Sequence, residues 1–181
     1  MRRASFPLLI SLFILASLPP RAAQAEGLQS EPRRLVSPDR QVDVEHLELD
    51  LAVDMAARSV AGSATLRVRP LRDGTVHAVF HQVALQFSSV SVDGVEVPFH
   101  VGRDRITVEF PEPTSREQSY AIRLDYEARP TTGLHFRGPG PESPDSYVEA
   151  WTQGEDIDHR HWFPTWDDPS DRLTFRGAFS A

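Results

Sequence analysis

Residues 46–53, with the sequence HLELDLAV, decide the fold class of this chain. Leu47, Leu49, Leu51 and Val53 alternate there with polar or small residues. Successive side chains of a β-strand point to opposite faces of its sheet, so a period of two predicts a strand with one apolar and one solvent-facing side. This stretch therefore predicts a strand at the surface of an apolar core.

The same alternation recurs along the chain at intervals of roughly ten residues, as expected when turns separate short strands. It is found at residues 65–69, 76–80, 106–110 and 120–126. Between Val90 and Val97 the dipeptide Asp93-Gly94 separates two short apolar stretches, and this dipeptide favours a two-residue hairpin turn. No window of about a dozen residues shows the 3.6-residue apolar spacing of a helix. The sequence predicts an all-β fold, an antiparallel β-sandwich with one wet face per sheet.

The N-terminus reads as a targeting segment. Arg2 and Arg3 precede an apolar run at residues 8–18, LLISLFILASL, and Ala-Gln-Ala at residues 23–25 supplies a small-x-small cleavage site. The run is too short to span a bilayer, which takes about 20 residues. We predict that residues 1–25 are a signal peptide, and that the protein is exported, periplasmic or secreted, without stable membrane insertion after cleavage. An uncleaved membrane anchor is the alternative.

The remaining chain divides into an arm and one domain. Residues 26–41 are polar, contain two prolines and show no apolar period, which predicts a flexible N-terminal arm. Residues 42–181 are predicted to form the β-sandwich. Within it, residues 137–146, RGPGPESPDS, are predicted to be a surface loop, because prolines lack the amide donors that a phosphate-binding loop needs.

Composition excludes several classes of protein. The chain carries a formal net charge of −7, and no nucleic-acid partner is expected without clustered positive charge. It contains no cysteine, so disulfides, thiolate nucleophiles and cysteine-ligated zinc are all excluded.

Residues 151–175 differ in composition from the strands before them, because they are rich in tryptophan, histidine, proline and carboxylates. Their sequence is WTQGEDIDHRHWFPTWDDPSDRLTF. One interpretation is a metal site. His159 and His161 would face the same side of a strand, and the oxygen ligands could come from Asp156, Asp158, Asp167 or Asp168. A His-x-His pair alone is a weak signal, because catalytic zinc needs three protein ligands in a tetrahedral arrangement. The other histidines are interpreted as surface or hydrogen-bonded strand residues.

A second interpretation is acid–base chemistry by paired carboxylates, with Glu155 opposite Asp158 or Asp167. Such pairs need a separation of about 5–9 Å, which a sequence does not reveal. The same residues also fit a plain structural role. That role comprises a turn at residues 167–169 and ion pairs among Asp158, Arg160, Asp171 and Arg172.

A third interpretation rests on resemblance. The segment resembles the end of the N-terminal domain in the aminopeptidase N family of zinc metallopeptidases (gluzincin aminopeptidases), with the pattern T-Q-x-E-x-x-D-A-R-x-x-F-P-x-x-D-x-P-x-x-K-x-x-F. It departs from that pattern at His159, where alanine is usual, and at Arg172, where lysine is usual. The resemblance covers roughly residues 42–181. The matching positions are Thr152, Gln153, Glu155, Asp158, Arg160, Phe163, Pro164, Asp167, Pro169 and Phe175.

The resemblance implies substrate-binding roles for two residues. Gln153 would line the pocket for the first side chain of the substrate, and Glu155 would hold the α-ammonium group of the peptide N-terminus. A buried carboxylate is suited to that task, because it forms charge-assisted hydrogen bonds with an ammonium. The remaining matched residues would be structural and hold the loop that presents these two: Asp158, Arg160, Phe163, Pro164, Asp167 and Pro169.

The catalytic motifs of the family do not occur in this sequence. The chain lacks G-x-M-E-N, and no histidine is followed by glutamate, so H-E-x-x-H is absent. We therefore expect an N-terminal domain that is incomplete at its C-terminal edge, inside a strand at residues 174–180, and truncated before the catalytic domain. The resemblance implies no catalytic residue and no cofactor in this chain, with zinc in the missing catalytic domain of the parent and peptide N-termini as partners. The alternative is a stand-alone secreted β-sandwich that binds a partner without catalysis.

Overall fold

The computed structural model describes residues 40–139 and 146–181. The predicted signal peptide, residues 26–39 of the predicted arm and part of the predicted surface loop lie outside these ranges. The described residues contain a single helical turn, the 3-10 turn His159–His161, and no helix among them is long and apolar enough to cross a bilayer. The strands in chain order are β1 (Val42–Asp54), β2 (Ser59–Pro70), β3 (His77–His81), β4 (Gln86–Val92), β5 (Val95–Glu96), β6 (Phe99–Val101), β7 (Arg105–Glu109), β8 (Tyr120–Ala128), β9 (Leu134–Arg137), β10 (Glu149–Thr152) and β11 (Thr174–Ser180).

The strands form three sheets. The largest has the order β11-β1-β2-β8-β4-β5, the second β3-β7-β6, and the third is the pair β10-β9. Every pairing between named strands is antiparallel except that of β11, which runs parallel to β1. The all-β, antiparallel prediction is confirmed for the body of the fold and is wrong for this one edge pair. Alternation within a strand gives its face but not the direction of its neighbour.

One core joins the two larger sheets. Leu47, Leu49 and Leu51 of β1 are almost completely buried, as their alternation predicted, and they belong to the same apolar cluster as Phe80 of β3 and Ile106 of β7. Polar residues of β1 lie on the opposite face of the sheet. The pattern that identified the strand therefore also identified the side that packs.

The predicted hairpin at Asp93-Gly94 is confirmed. Asp93 has a φ of 49° and Gly94 a φ of 82°, so both residues lie in the left-handed region. A two-residue turn with both central φ angles positive matches the right-handed twist of its strands, and Asp-Gly adopts it at low cost. The turn joins β4 to β5, at the opposite edge of the large sheet from β11.

Candidate functional site

Gln153 and Glu155 lie in an exposed loop that follows β10. The pair β9-β10 leads into this loop, with the rings of His135 and Trp151 stacked at 5.3 Å. The backbone N–H of Gln153 donates to the carbonyl of Gly133 at 3.0 Å, which fixes where the loop begins. Neither the Gln153 nor the Glu155 side chain has a hydrogen bond or ion pair with another described residue. Within the described fold, both side chains remain available to a ligand.

His159 packs directly on this loop. A Cβ placed on Gly154 would lie 2.0 Å from the imidazole of His159, so only glycine fits between Gln153 and Glu155 with the ring in this position. The same ring packs against Phe163, with the ring centroids 5.2 Å apart and the ring planes tilted by 31°. His159, one of the two departures from the family pattern, is therefore part of the packing against the loop.

Metal binding by these residues is not supported by their arrangement. In residues 40–139 and 146–181, no three His, Asp or Glu side chains are placed so that they could hold a metal ion. His159 is packed between Gly154 and Phe163. The donor set in the described part of the chain does not fit a zinc site.

The second half of the segment is fastened by an ion pair between Arg160 and Asp167. The Arg160 Nε donates to Asp167 Oδ2 at 3.0 Å, and its Nη2 donates to the Asp167 carbonyl at 2.8 Å. The backbone N–H of Arg160 donates to the same carboxylate at 3.1 Å. Both side chains are largely buried, with 13% and 5% of their surface exposed. Three hydrogen bonds thus close the chain between residues 160 and 167 into one unit.

These contacts correct the ion pairs suggested by the sequence. Arg160 pairs with Asp167, whereas Asp171 pairs with Arg40 at 2.7 Å. Asp158 instead accepts a hydrogen bond from the Thr132 hydroxyl at 3.2 Å. The partners come from distant parts of the chain or from across a turn, and spacing in sequence could not identify them.

His81, at the end of β3, joins the segment to the smaller sheet. Its backbone N–H donates to the Thr165 carbonyl at 2.8 Å, and the Thr165 N–H donates back to the His81 carbonyl at 3.2 Å. Its Nδ1 accepts a hydrogen bond from the Asp167 N–H at 3.1 Å, which requires an unprotonated Nδ1. Burial, followed by the charges of Arg160 and Arg105, lowers the pKa of His81. The sequence offered no signal for this role beyond a histidine in a strand.

Tyr126 of β8 holds the segment from the other sheet. Its hydroxyl donates to the Trp162 carbonyl at 3.0 Å, and burial raises the pKa of Tyr126, which keeps the hydroxyl protonated. Trp162, Phe163 and Trp166 are buried in the same core cluster. Pro164 is also buried, whereas Pro169 lies in an exposed turn.

An open groove of about 710 Å³ runs beside the segment. It extends from Gly154 and Asp156, under the exposed loop, to Phe175 and Phe179 of β11, and Trp162 lines its floor. Gln153 and Glu155 do not line it. The two predicted binding residues therefore alternate along the chain with residues that line the groove, Thr152, Gly154 and Asp156, but do not themselves line it.

Known proteins resemble this chain over the same region. The family described as Peptidase M1 N-terminal domain matches residues 43–179. Aminopeptidase N of Lactobacillus delbrueckii subsp. lactis is 33% identical over 133 residues, covering 72% of this chain and 15% of that protein. Leukotriene A-4 hydrolase of Xenopus laevis is 23% identical over 158 residues, covering 83% of this chain and 26% of that protein.

Solved structures show the same fold. Yeast leukotriene A4 hydrolase in complex with bestatin superposes with a TM-score of 0.69 at 19% identity, over 83% of this chain and 26% of that one. The M1 zinc metallopeptidase from Deinococcus radiodurans gives a TM-score of 0.63 at 24% identity, over 77% of this chain and 32% of that one. The chain spans between 15% and 26% of the length of the curated relatives it matches.

Proposed function

The chain belongs to the M1 peptidase family through its N-terminal domain, and from that premise we propose that it recognises substrate and supports the active site of an exported zinc aminopeptidase. That enzyme would remove N-terminal residues from peptides. The aminopeptidase N relative, and the fold shared with an M1 zinc metallopeptidase, support this proposal. Because the described residues do not fit a zinc site, the metal and the catalytic groups are assigned to a separate catalytic domain.

One observation carries the proposal. Gln153 and Glu155 lie in an exposed loop and lack side-chain partners among the described residues. The chain immediately after them is held by two strands, β3 and β8, and by its own Arg160–Asp167 ion pair. An exposed carboxylate without a partner, between two residues that line the groove, is suited to an ammonium, since charge-assisted hydrogen bonds are the stronger class. We assign Glu155 to the α-ammonium of the peptide and Gln153 to the fit of its first side chain.

Export is part of the proposal. Residues 1–25 have the order of a signal peptide, so the mature protein would begin at Glu26 in the periplasm or medium. Mass spectrometry of the mature protein from its native host tests this directly. A protein retained in the membrane with Met1 intact would contradict export with cleavage.

The role of Glu155 is tested in a chimera that joins this chain to the catalytic domain of a related M1 peptidase. Glu155→Ala removes one charge-assisted contact of about 1.5–3 kcal/mol, so kcat/KM should fall by roughly 10- to 150-fold. Glu96→Ala is the matched control, because Glu96 is also an exposed glutamate but lies on β5, at the opposite edge of the large sheet, and does not line the groove. Gln153→Ala should change which N-terminal residue is preferred.

Two peptide inhibitors distinguish a Glu155 that binds the substrate ammonium from a Glu155 that only stabilises the loop. One peptide has a free amine at its N-terminus, and the other carries a neutral hydroxyl at that position. The parent chimera should favour the amine strongly and the Glu155→Ala form much less. Equal discrimination by both proteins would make Glu155 a scaffold residue.

The chain by itself should neither bind stoichiometric zinc nor cleave aminoacyl-nitroanilides. Turnover that copurifies with the chain and is abolished by a chelator would contradict the assignment of catalysis to another domain.

A further inference from the structure

The strand pair β9-β10 has one face on the core and one face away from it. Leu134 is buried, and Phe136 packs against the same apolar cluster. Thr152 and Ala150 pair with these two residues, so all four side chains lie on one face. Side chains alternate along each strand, and the other residues of the pair therefore form a second, outer face.

The outer face carries two cross-strand side-chain pairs. Arg137 and Glu149 form an ion pair at 3.7 Å. Next to them, towards the exposed loop, His135 and Trp151 stack with their ring planes within 19° of parallel. Trp151 keeps 45% of its surface exposed and is not part of the core cluster. This ring stack is an aromatic surface that the described core does not use.

Gln153 and Glu155 continue the outer face beyond the end of β10. The backbone N–H of Gln153 donates to the Gly133 carbonyl, which adds one more pair to the register of the two strands. The groove shows the same alternation, because only every second residue of 152–156 lines it. Trp151 and Gln153 are therefore neighbours on one face, separated by a two-residue step of about 6.6 Å.

We infer that the ring stack of Trp151 and His135 contacts the first side chain of the peptide and selects an aromatic residue there. The inference rests on the proposed function, in which Glu155 holds the α-ammonium and Gln153 lines the pocket for that side chain. The ammonium site, the side-chain pocket and the rings then follow one another along the outer face. A side chain that extends past Gln153 reaches the rings, whereas the methyl group of an N-terminal alanine does not.

The chemistry of the ring stack favours a third ring. Aromatic rings attract one another in offset-stacked or edge-to-face contact, and this attraction adds to the free energy of the area that they bury. The expected substrates are therefore peptides that begin with phenylalanine, tyrosine or tryptophan. A cation is also attracted to the face of a tryptophan ring, so an arginyl substrate provides the counter-test.

Substrate preference is measured in the chimera with an M1 catalytic domain, with phenylalanyl-, alanyl- and arginyl-nitroanilides. Trp151→Ala should lower kcat/KM for the phenylalanyl substrate by roughly tenfold and change the alanyl value by less than about twofold. Trp151→Phe retains a ring and should keep most of the preference. Tyr147→Ala is the control, because Tyr147 is an exposed aromatic residue that lies before β10, further from Gln153. Since Trp151 lies outside the core cluster, its variants should keep the parent melting temperature.

Three results would overturn the inference. An equal fall for the phenylalanyl and alanyl substrates would make Trp151 a packing residue, and no fall for either would show that the first side chain does not reach the rings. A fall for the arginyl substrate as large as that for the phenylalanyl one would show selection of a cation instead of a ring. The comparison of amine and hydroxyl inhibitors in Glu155→Ala is a separate measurement, so failure of the ammonium site and failure of the ring stack are distinguished.

The chain by itself provides a second test by nuclear magnetic resonance. Of its three tryptophans, Trp162 and Trp166 are buried, and Trp151 is exposed. Phenylalaninamide at millimolar concentration should shift the indole N–H signal of Trp151, assigned by its loss in Trp151→Phe, much more than alaninamide does. His135→Ala should reduce this shift, because it removes the ring on which Trp151 is stacked. Equal shifts with the two amides would contradict selection of an aromatic side chain by these rings.

Discussion

The loop at residues 153–157 and the segment at residues 158–168 are adjacent in sequence and match one family pattern. They differ in burial and in how many side-chain contacts they make. The loop is exposed, and the Gln153 and Glu155 side chains have no partner among the described residues. The following segment is held by Arg160–Asp167, by His81 and by Tyr126. A single motif therefore combines side chains that are available to bind a ligand with side chains that fix the position of the first group.

The difference has a physical cause. The aromatic side chains of Trp162, Phe163 and Trp166 gain free energy on leaving water, so their half of the motif is buried in the core. A carboxylate is buried only at high cost unless it is paired. Asp167 is paired with Arg160, whereas Glu155 is not paired with any described residue, and the two carboxylates accordingly lie inside and outside the fold.

The largest expected effect comes from breaking the ion pair. Arg160→Ala leaves the Asp167 carboxylate buried without its partner, which should cost about 3 kcal/mol or more of unfolding free energy and lower the Tm by roughly 10 °C. Calorimetry measures both quantities. Arg137→Ala is the control, because Arg137 pairs with Glu149 at 3.7 Å on the surface. If both variants lost the same unfolding free energy, the buried ion pair would hold the segment no more strongly than a surface ion pair.

A smaller loss of unfolding free energy is expected when the hydrogen bond from Tyr126 of β8 is removed. Tyr126→Phe deletes the hydroxyl that donates to the Trp162 carbonyl and leaves that acceptor without its bond, at a cost of about 1–2 kcal/mol. Chemical denaturation gives the difference in unfolding free energy. Tyr147→Phe, at an exposed tyrosine, should be neutral. If Tyr126→Phe were also neutral, this hydrogen bond would not help to hold the segment.

The contribution of His81 should appear as a pH dependence. Burial lowers the pKa of His81 in the folded protein, so the unfolded chain binds the proton more readily. Stability should therefore be fully present above the unfolded pKa of about 6.5 and should fall as the pH drops towards the folded value. Unfolding free energies for the parent and His81→Asn across this range should diverge, whereas His100→Asn, at an exposed histidine, should follow the parent. Parallel profiles for the parent and His81→Asn would contradict the role of a neutral His81.

The smallest effect is expected in the loop itself. Glu155→Ala and Gln153→Ala remove no side-chain contact with a described residue, and each should change the unfolding free energy by less than about 0.5 kcal/mol. Asp158→Ala is the comparison variant, because it loses the hydrogen bond from Thr132 and should be measurably less stable. A Tm decrease for Glu155→Ala as large as that for Arg160→Ala would show that the loop residue braces the fold.

Much of the fold could be predicted because its signals are local. Alternation in β1 identified both the strand and its buried face, and Asp93-Gly94 identified a turn from two residues alone. The parallel pairing of β11 could not be predicted, since it depends on the path of the chain between β10 and β11. In the site, the family pattern located the segment but did not show how its charged residues pair.

The sequence by itself determined which stretches form strands with one buried face, where the Asp93-Gly94 hairpin turn lies, and which segment carries the family motif. Each of these depends on neighbours along the chain. The tertiary structure decided that Arg160 meets Asp167, that His81 accepts from its backbone, and that Glu155 stays outside while Asp167 is buried. The first contact joins residues seven apart across a turn, and the second joins residues 86 apart. Burial and charge then act on residues that only folding brings together.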